Sequence, residues 1–255
     1  MILHAVEAGE GAPLVLLHGL FGSARNFGTV QRQFAQLHRA IALDLRNHGA
    51  SPHARAMDYA SMAGDVIETL RQRDALPATL VGHSMGGKVA MHVALTQPEM
   101  VTRLVVADIA PVRYPPRYRA DIAAMQTLPL TPGLTRAAAD AALTQAVPDA
   151  AMRAFLLSNL AVGEHPAWRI GLAEIRAGMQ SIEDWSPPPV APYRGPTLFI
   201  AGAASVYILP EYRPAIRALF PAARFVTLKR AGHWLHADNP AGFVAVVEAF
   251  LTETG

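Results

Sequence analysis

The sequence contains no cysteine and no long apolar run. The absence of cysteine excludes a disulfide framework, a thiol nucleophile and a cysteine-ligated zinc site. The apolar run at 14–17 is too short for a secretory signal or a membrane span, and no basic segment precedes it. We therefore expect a cytoplasmic protein without a membrane span.

Charged residues are also scarce, at 16% of the chain, and they are scattered. The formal net charge of +2 comes without a block of roughly five or more basic residues and without interleaved aromatic side chains. We therefore expect a small-molecule substrate and no nucleic acid partner. The 255 residues, 51% of them hydrophobic, can bury the core of one large domain and still carry a modest insertion.

Short apolar runs alternate along the chain with longer helical patterns. Each run is bounded by Gly, Pro, Asn or Asp, which is typical of buried parallel strands. The predicted strands are 14–17, 40–43, 79–81, 104–107, 198–200 and 224–228. The predicted helices are 26–37, 58–74, 85–97, 210–220 and 240–252. This alternation predicts an α/β fold, with an open and mostly parallel sheet that carries helices on both faces.

Residues 113–189 interrupt this alternation. The segment is rich in Ala, Leu, Arg and Met, has no clear strand pattern, and ends in the stiff connector Ser186-Pro187-Pro188-Pro189. We predict a core domain formed by 1–112 and 190–255, with 113–189 inserted as a helical cap. In the alternative interpretation, these helices only extend the fold.

The most specific motif is Gly82-His83-Ser84-Met85-Gly86, which lies between a predicted strand and a predicted helix. This is the context of a G-x-S-x-G nucleophile elbow, in which a strained turn exposes the serine hydroxyl. Glycine at the first and last positions avoids collisions with the neighbouring strand and helix. The N-terminus of the following helix favours negative charge beside the serine. We predict that Ser84 is a nucleophile, the alternative being a tight turn with an incidental serine.

A serine hydroxyl needs a general base within hydrogen-bond reach. Of the ten histidines, His233 lies in the loop between the last predicted strand and the last predicted helix. Because the carboxyl ends of parallel strands share one edge of the sheet, His233 and Ser84 can meet there. His236 is the nearest alternative, but it is expected to pack against or cap the last helix. A histidine base predicts activity that rises with pH through an ionisation near the ordinary imidazole value of about 6.5.

Acyl transfer to a serine also requires donors for the oxyanion of the tetrahedral intermediate. The backbone N–H of Met85, directly after the predicted nucleophile, is one candidate. The second donor should come from the glycine-rich loop His18-Gly19-Leu20-Phe21-Gly22, which follows a buried strand. We favour the N–H of Leu20, with Phe21 as the alternative.

Taken together, the stretches HGLFGS, GHSMGG and AGHW resemble the α/β-hydrolase fold over nearly the whole chain. The narrower stretches Asp44-Leu45-Arg46-Asn47-His48-Gly49 and Asp108-Ile109-Ala110-Pro111 resemble the YbfF-type bacterial esterases and their mitochondrial abhydrolase relatives. The resemblance implies a serine hydrolase without metal or cofactor that cleaves small or medium acyl esters, or thioesters, beneath a helical cap. It leaves the physiological substrate and the oligomeric state open.

The loop after the predicted strand 198–200 departs from the wider superfamily, many of whose members carry the triad acid there. It reads Gly202-Ala203-Ala204-Ser205-Val206, and because serine cannot balance an imidazolium by charge, we expect Ser205→Ala to have little effect. Asp108 follows the predicted strand 104–107 at the same edge of the sheet and preserves the order Ser, Asp, His. We predict that Asp108 is the acid, the alternative being a structural strand-end carboxylate. Weaker candidate acids are Glu211, Asp184 and Glu174.

The candidate substrate pocket is aromatic and consists of Phe21, Phe155, Trp185, Tyr207 and Trp234. All these motifs together predict a serine carboxylesterase that acts through an acyl-enzyme. A thioesterase or a C–C bond hydrolase could use the same triad, because the pocket selects the leaving group. A ligand-binding module on a hydrolase shell is the non-enzymatic alternative.

Overall fold

The computed structural model of the protein describes residues 1–253. The last two residues of the predicted core range, 254 and 255, lie outside the described residues. The strands are β1 Ala5–Ala8, β2 Pro13–Leu17, β3 Arg39–Leu43, β4 Ala78–His83, β5 Val101–Ala107, β6 Leu160–Ala161, β7 Ala167–Trp168, β8 Thr197–Gly202 and β9 Ala223–Leu228. The α-helices are α1 Gly28–Phe34, α2 Tyr59–Gln72, α3 Met85–Thr96, α4 Arg119–Thr127, α5 Arg136–Leu143, α6 Ala150–Leu157, α7 Leu172–Glu183, α8 Arg213–Leu219, α9 Leu235–Asp238 and α10 Pro240–Thr252.

The central sheet has seven strands in the order β1-β3-β2-β4-β5-β8-β9. Only β1 is antiparallel to its neighbour; the other pairs are parallel. The predicted α/β fold is therefore confirmed, and the six predicted strands lie within β2, β3, β4, β5, β8 and β9. β1 falls outside the predicted strands because it is a short edge strand, AVEA, whose residues are all partly or fully exposed.

Alternate residues of the central strands face opposite sides of the sheet. In β2, Val15 and Leu17 belong to the apolar cluster that includes α2 and α3, whereas Leu14 and Leu16 belong to the cluster that includes α1 and α10. Because helices cover both faces, β2 and β4 are almost wholly buried. Polar side chains can therefore gather only in the loops at the ends of these strands.

The predicted insertion lies between β5 and β8 and contains α4 to α7. It also contains the two-residue strands β6 and β7, which correct the expectation of a segment without strands. Strands this short have no alternating pattern that a sequence could reveal. The segment rests on the sheet domain through a hydrogen bond from the Tyr59 hydroxyl to the carbonyl of Ile182, at 2.7 Å. We propose that 113–189 forms a cap.

The loops that follow β2, β4, β5, β8 and β9 meet at the carboxyl edge of the sheet. His83, the last residue of β4, pairs in register with Ala107, the last residue of β5, so the loops beginning at Ser84 and Asp108 are neighbours. Among residues 1–253, no helix combines the length and the apolar character needed to cross a membrane.

Candidate active site

Ser84 stands on a strained turn between β4 and α3. Its φ of 52° and ψ of −120° are unusual for a residue with a side chain. A side chain at Gly82 would overlap the carbonyl of Gly86, and one at Gly86 would overlap the carbonyl of Leu17. Only glycine fits both positions, so strand and helix can approach closely enough to hold this turn.

The structure brings Ser84, His233 and Asp108 into one hydrogen-bonded chain. Nε2 of His233 lies 3.1 Å from the hydroxyl of Ser84. Nδ1 of His233 lies 2.8 Å from a carboxylate oxygen of Asp108, so this nitrogen carries a proton and donates it. Nε2 is then free to accept the proton of the serine. The three residues are separated in sequence but follow strands that end at the same edge.

Asp108 is fully buried, and its carboxylate is stabilised by hydrogen bonds from three donors. One carboxylate oxygen accepts the N–H of Gly202 at 3.0 Å. The other accepts the His233 ring and also the hydroxyl of Ser205. The expectation that Ser205 matters little was based on charge alone, and the structure gives its hydroxyl a direct contact with Asp108. The position of this loop could have indicated the contact from sequence, because many members of the wider superfamily carry the triad acid there.

The weaker candidate acids lie elsewhere. Asp184 is paired with Arg113 at 2.7 Å. Glu174 belongs to the first turn of α7, and Glu211 lies in the short 3-10 helix Pro210–Tyr212. Within residues 1–253, none of the three forms a hydrogen bond with His233.

Two further histidines surround His233 without reaching Ser84. Nε2 of His83 donates to the backbone carbonyl of His233 at 2.7 Å and thereby holds the loop. The ring of His236 packs against Phe27 and His83, with ring centroids 4.8 Å from each. Burial, together with the neighbouring His233, lowers the pKa of His236 to about 4. Burial also lowers the pKa of His83 well below the usual imidazole value, so both stay neutral at pH 7.

The loop after β2 forms a tight turn beside Ser84. The N–H of Gly22 donates to the carbonyl of Gly19 at 2.9 Å, so Leu20 and Phe21 occupy the two central positions. The N–H of Phe21 is already engaged, because it donates to Nε2 of His48 at 3.1 Å. In the described part of the chain, the N–H groups of Leu20 and Met85 have no hydrogen-bond partner. This geometry favours Leu20 over Phe21 as an oxyanion donor.

Two cavities open on Ser84. The larger has a volume of about 200 Å³, and its lining includes the predicted residues Leu20, Phe21, Phe155, His233 and Trp234. The smaller, of about 50 Å³, is lined by Leu20, Met85, Lys88 and Tyr207. Trp185 was also predicted to line the pocket, but it is absent from the lining of both cavities.

Trp185 instead belongs to an aromatic cage around Lys88. The ammonium nitrogen of Lys88 lies 5.5, 5.0 and 5.9 Å from the ring centroids of Tyr59, Tyr114 and Trp185. Burial lowers the pKa of Lys88 to about 7, although the nearby Asp184 acts in the opposite direction. The lining of the smaller cavity therefore includes the weakly basic amine of Lys88, which lies among aromatic rings.

Tyr207 stacks directly on the imidazole of His233, with ring centroids 4.0 Å apart. Its hydroxyl lies 2.9 Å from that of Tyr118, in the predicted cap. The imidazole of His233 is thus packed between Tyr207 on one side and His83 on another. Among residues 1–253, no group of three or more His, Asp and Glu side chains could hold a metal ion.

Comparison with known proteins extends these observations. A model described as "Alpha/beta hydrolase family" matches residues 14–246. The chain is 42% identical over 247 residues to the sn-1-specific diacylglycerol lipase ABHD11 of Mus musculus, which covers 93% of this chain and 80% of that protein. It is 36% identical over 245 residues to esterase YbfF of Escherichia coli (strain K12), covering 96% of this chain and 94% of that protein. A solved structure titled "Marine microorganism esterase" matches with a TM-score of 0.95 and 34% identity, covering 98% of this chain and 99% of that one.

The parallel sheet, with its strand-turn-helix at Ser84, defines an α/β-hydrolase fold. The chain belongs to the Alpha/beta hydrolase family and is a hydrolase enzyme. The resemblance to the YbfF-type esterases and their abhydrolase relatives is confirmed by these identities.

Proposed function

We propose that this protein is a serine carboxylesterase that hydrolyses small to medium acyl esters through an acyl-enzyme. The observation that carries the proposal is the hydrogen-bonded chain from Ser84 through His233 to Asp108. The names of its relatives, an esterase and a diacylglycerol lipase, support an ester as the bond that is cleaved. They also weigh against a ligand-binding module without activity.

The proposed reaction begins when Nε2 of His233 takes the proton of the Ser84 hydroxyl. The serine oxygen attacks the ester carbonyl, whose oxygen becomes negatively charged and is held by the N–H groups of Leu20 and Met85. His233 then protonates the leaving alcohol, and an acyl group remains on Ser84. A water molecule repeats the sequence and releases the acid. Asp108 keeps its charge throughout and stabilises the imidazolium.

The two cavities indicate which substrates can reach Ser84. An ester carbonyl at Ser84 carries two substituents, and Ser84 lines both cavities, so each cavity can hold one substituent. The walls of the larger cavity include Phe21, Tyr118, Phe155 and Trp234, and these rings suit an apolar chain. Hydrolysis of p-nitrophenyl esters of increasing acyl length, with acyl thioesters in parallel, tests the substrate class. Turnover of thioesters well above that of esters would favour the thioesterase alternative, and absence of both would reject the proposal.

We expect activity to rise with pH, because a histidine base must be neutral to accept the serine proton. His236→Gln should leave the position of this rise unchanged, because His236, with a pKa of about 4, is already neutral over the range in which an imidazole base acts. His233→Gln should abolish the activity, because glutamine cannot act as the base. The measurement is kcat/KM as a function of pH for the wild type and both variants. If His236→Gln removed the activity and His233→Gln retained it, the base would be wrongly assigned.

We expect Phe155 to control acyl-chain preference. Its ring lines the larger cavity and packs on Trp234, with ring centroids 5.5 Å apart. Phe155→Ala should enlarge this cavity and raise the ratio of kcat/KM for a long-chain ester to that for a short-chain ester, by about tenfold if a few apolar groups gain contacts. Leu157→Ala is the matched control, since Leu157 is a buried residue of the same helix that is absent from the lining of either cavity. Equal ratios in both folded variants would contradict a role for Phe155.

A further inference from the structure

The stretch Asp44–Gly49, with the sequence DLRNHG, has no part in the proposed triad, yet its residues 44–48 are buried beside the loop after β2. Arg46 anchors it through a buried ion pair with Asp65 at 2.6 Å. The N–H of Leu45 donates to Nε2 of His18, at the start of the neighbouring loop, at 2.9 Å. These contacts fix the position of His48, which is completely buried.

His48 holds Phe21, in the turn from Gly19 to Gly22, from one side. Its Nε2 accepts the N–H of Phe21 at 3.1 Å, while Nδ1 donates to the carbonyl of Arg46 at 2.8 Å. This arrangement requires a neutral ring with its proton on Nδ1. Burial, with the nearby His18, lowers the pKa of His48 to about 3, so the ring remains an acceptor at any pH at which the enzyme would work.

Asn159, between α6 and β6 of the cap, holds the same residue from the other side. Its side-chain amide donates to the carbonyl of Phe21 at 2.8 Å, across 138 positions of sequence. Asn159 is itself fixed, because its side chain also donates to the carbonyl of Leu156 at 3.3 Å and its carbonyl accepts the N–H of Arg169 at 2.8 Å. Only 5% of Asn159 is exposed.

These two contacts act on a strained turn. Phe21 has a φ of 61°, a conformation that residues with side chains rarely adopt and that surrounding contacts must maintain. Its N–H and its C=O are both held, and the adjacent N–H of Leu20 is left without a partner in the described residues. A change in the backbone angles of Phe21 would open the turn that the Gly22–Gly19 hydrogen bond closes, and it would thereby shift Leu20, whose N–H lies one peptide earlier.

We propose that His48 and Asn159 are positioning residues that together hold the Leu20 N–H in the oxyanion hole, so that the cap completes the catalytic site. This proposal rests on the proposed function. Through Asn159, the cap stabilises the transition state as well as enclosing the substrate. The DLRNHG stretch then has a function, which is to present His48 to the turn.

The test compares two inhibitors with the same alkyl chain, a trifluoromethyl ketone and a methyl ketone. Addition of Ser84 to the trifluoromethyl ketone forms a C–O bond, moves the serine proton to His233 and leaves an oxyanion in the hole. The methyl ketone binds without this step and serves as the reference. Asn159→Leu and His48→Phe remove the two contacts with little change in side-chain volume, and Ser158→Ala is the control for a change at a neighbouring exposed residue.

We expect each of the two variants to weaken inhibition by the trifluoromethyl ketone about tenfold to a hundredfold, which is less than complete loss of an oxyanion donor costs. The value of kcat should fall by a similar factor for short and long esters alike. Inhibition by the methyl ketone should stay within about twofold of wild type, as should every value for Ser158→Ala. The double variant should lose less than the product of the single losses, because both contacts hold one residue, Phe21. His48→Gln, whose side-chain oxygen can accept the N–H of Phe21, should recover part of the loss.

Equal effects on the two ketones, or no effect on either, in folded variants would overturn the proposal. If Asn159→Leu does not fold, Asn159→Ser gives the same comparison with a shortened donor, and its ratio must move in the same direction. Wild-type protein without Ser84-dependent ester hydrolysis would reject the proposed function and this inference together. Intact hydrolysis with an unchanged inhibitor ratio would reject only the inference.

Discussion

Ser84→Ala should lower kcat for a p-nitrophenyl ester by at least about a thousandfold, since loss of the nucleophile in serine hydrolases costs that much or more. The hydroxyl has a single hydrogen-bond partner among the described residues, Nε2 of His233 at 3.1 Å. Alanine keeps the Cβ and therefore changes neither the packing of the elbow nor its strain. We expect the variant to fold with the melting temperature of the wild type, so its inactivity would report on chemistry. Steady-state kinetics and a thermal melt measure both quantities.

A fluorophosphonate probe provides an independent check on the nucleophile. It should label one serine per chain, and the label should disappear in Ser84→Ala. Ser205→Ala is the matched control, because Ser205 also lies at the site but contacts Asp108 and not His233. Persistent labelling of Ser84→Ala, or near-wild-type turnover by the folded variant, would contradict the assignment of the nucleophile.

The sequence allows Ser84 and His233 to be predicted because local patterns define their surroundings. Ser84 is flanked by glycines between a buried strand and a helix, and this pattern alone requires the turn that the structure contains. His233 follows the last parallel strand, whose end must lie at the same edge as that of β4. In both cases the inference needs only the order of elements and the direction of the strands.

The positions of Asn159 and Tyr207 could not be obtained in this way. The contact between Asn159 and Phe21 spans 138 positions, and it depends on how the segment between β5 and β8 packs on the loop after β2. The hydrophobic periodicity of the sequence does not predict this packing, because it reports on single elements and not on contacts between them. The stacking of Tyr207 on His233 likewise depends on the path of a loop after β8. An aromatic residue in such a segment can be predicted to line a pocket, but its stacking on His233 cannot be predicted.

Two other residues illustrate the same limit. Trp185 and Phe155 are both aromatic residues of the insertion, and the sequence offers no way to distinguish them. In the structure Phe155 lines the larger cavity, whereas Trp185 packs against Tyr59 near Lys88. The choice between Leu20 and Phe21 is similar, because it depends on which N–H is taken by the distant His48.

Asp108→Asn should lower kcat by about a thousandfold or more, judging from the loss of about ten-thousandfold for the same change in a serine protease. Asparagine has the shape of aspartate, but its amide can present an N–H to Nδ1 of His233. The ring would then carry its proton on Nε2, facing Ser84, and could not accept the serine proton. The remaining carbonyl oxygen can still accept the N–H of Gly202, so the variant should fold. Kinetics, with circular dichroism and a thermal melt as the folding check, test this expectation.

Ser205→Ala should lower kcat by less than Asp108→Asn does. Its hydroxyl donates to the carboxylate oxygen of Asp108 that also faces His233, and hydrogen bonds to charged groups are worth roughly 1.5–3 kcal/mol. We therefore expect a loss of about tenfold in kcat, larger than charge alone suggests and much smaller than that of Asp108→Asn. Adding Ser205→Asp to Asp108→Asn should restore part of the activity, because a carboxylate on the loop after β8 would lie beside the same imidazole nitrogen. If the activity of folded Asp108→Asn stayed within about tenfold of wild type, the acid would lie elsewhere. A double variant no more active than Asp108→Asn would mean that a carboxylate on the loop after β8 cannot replace the one at the end of β5.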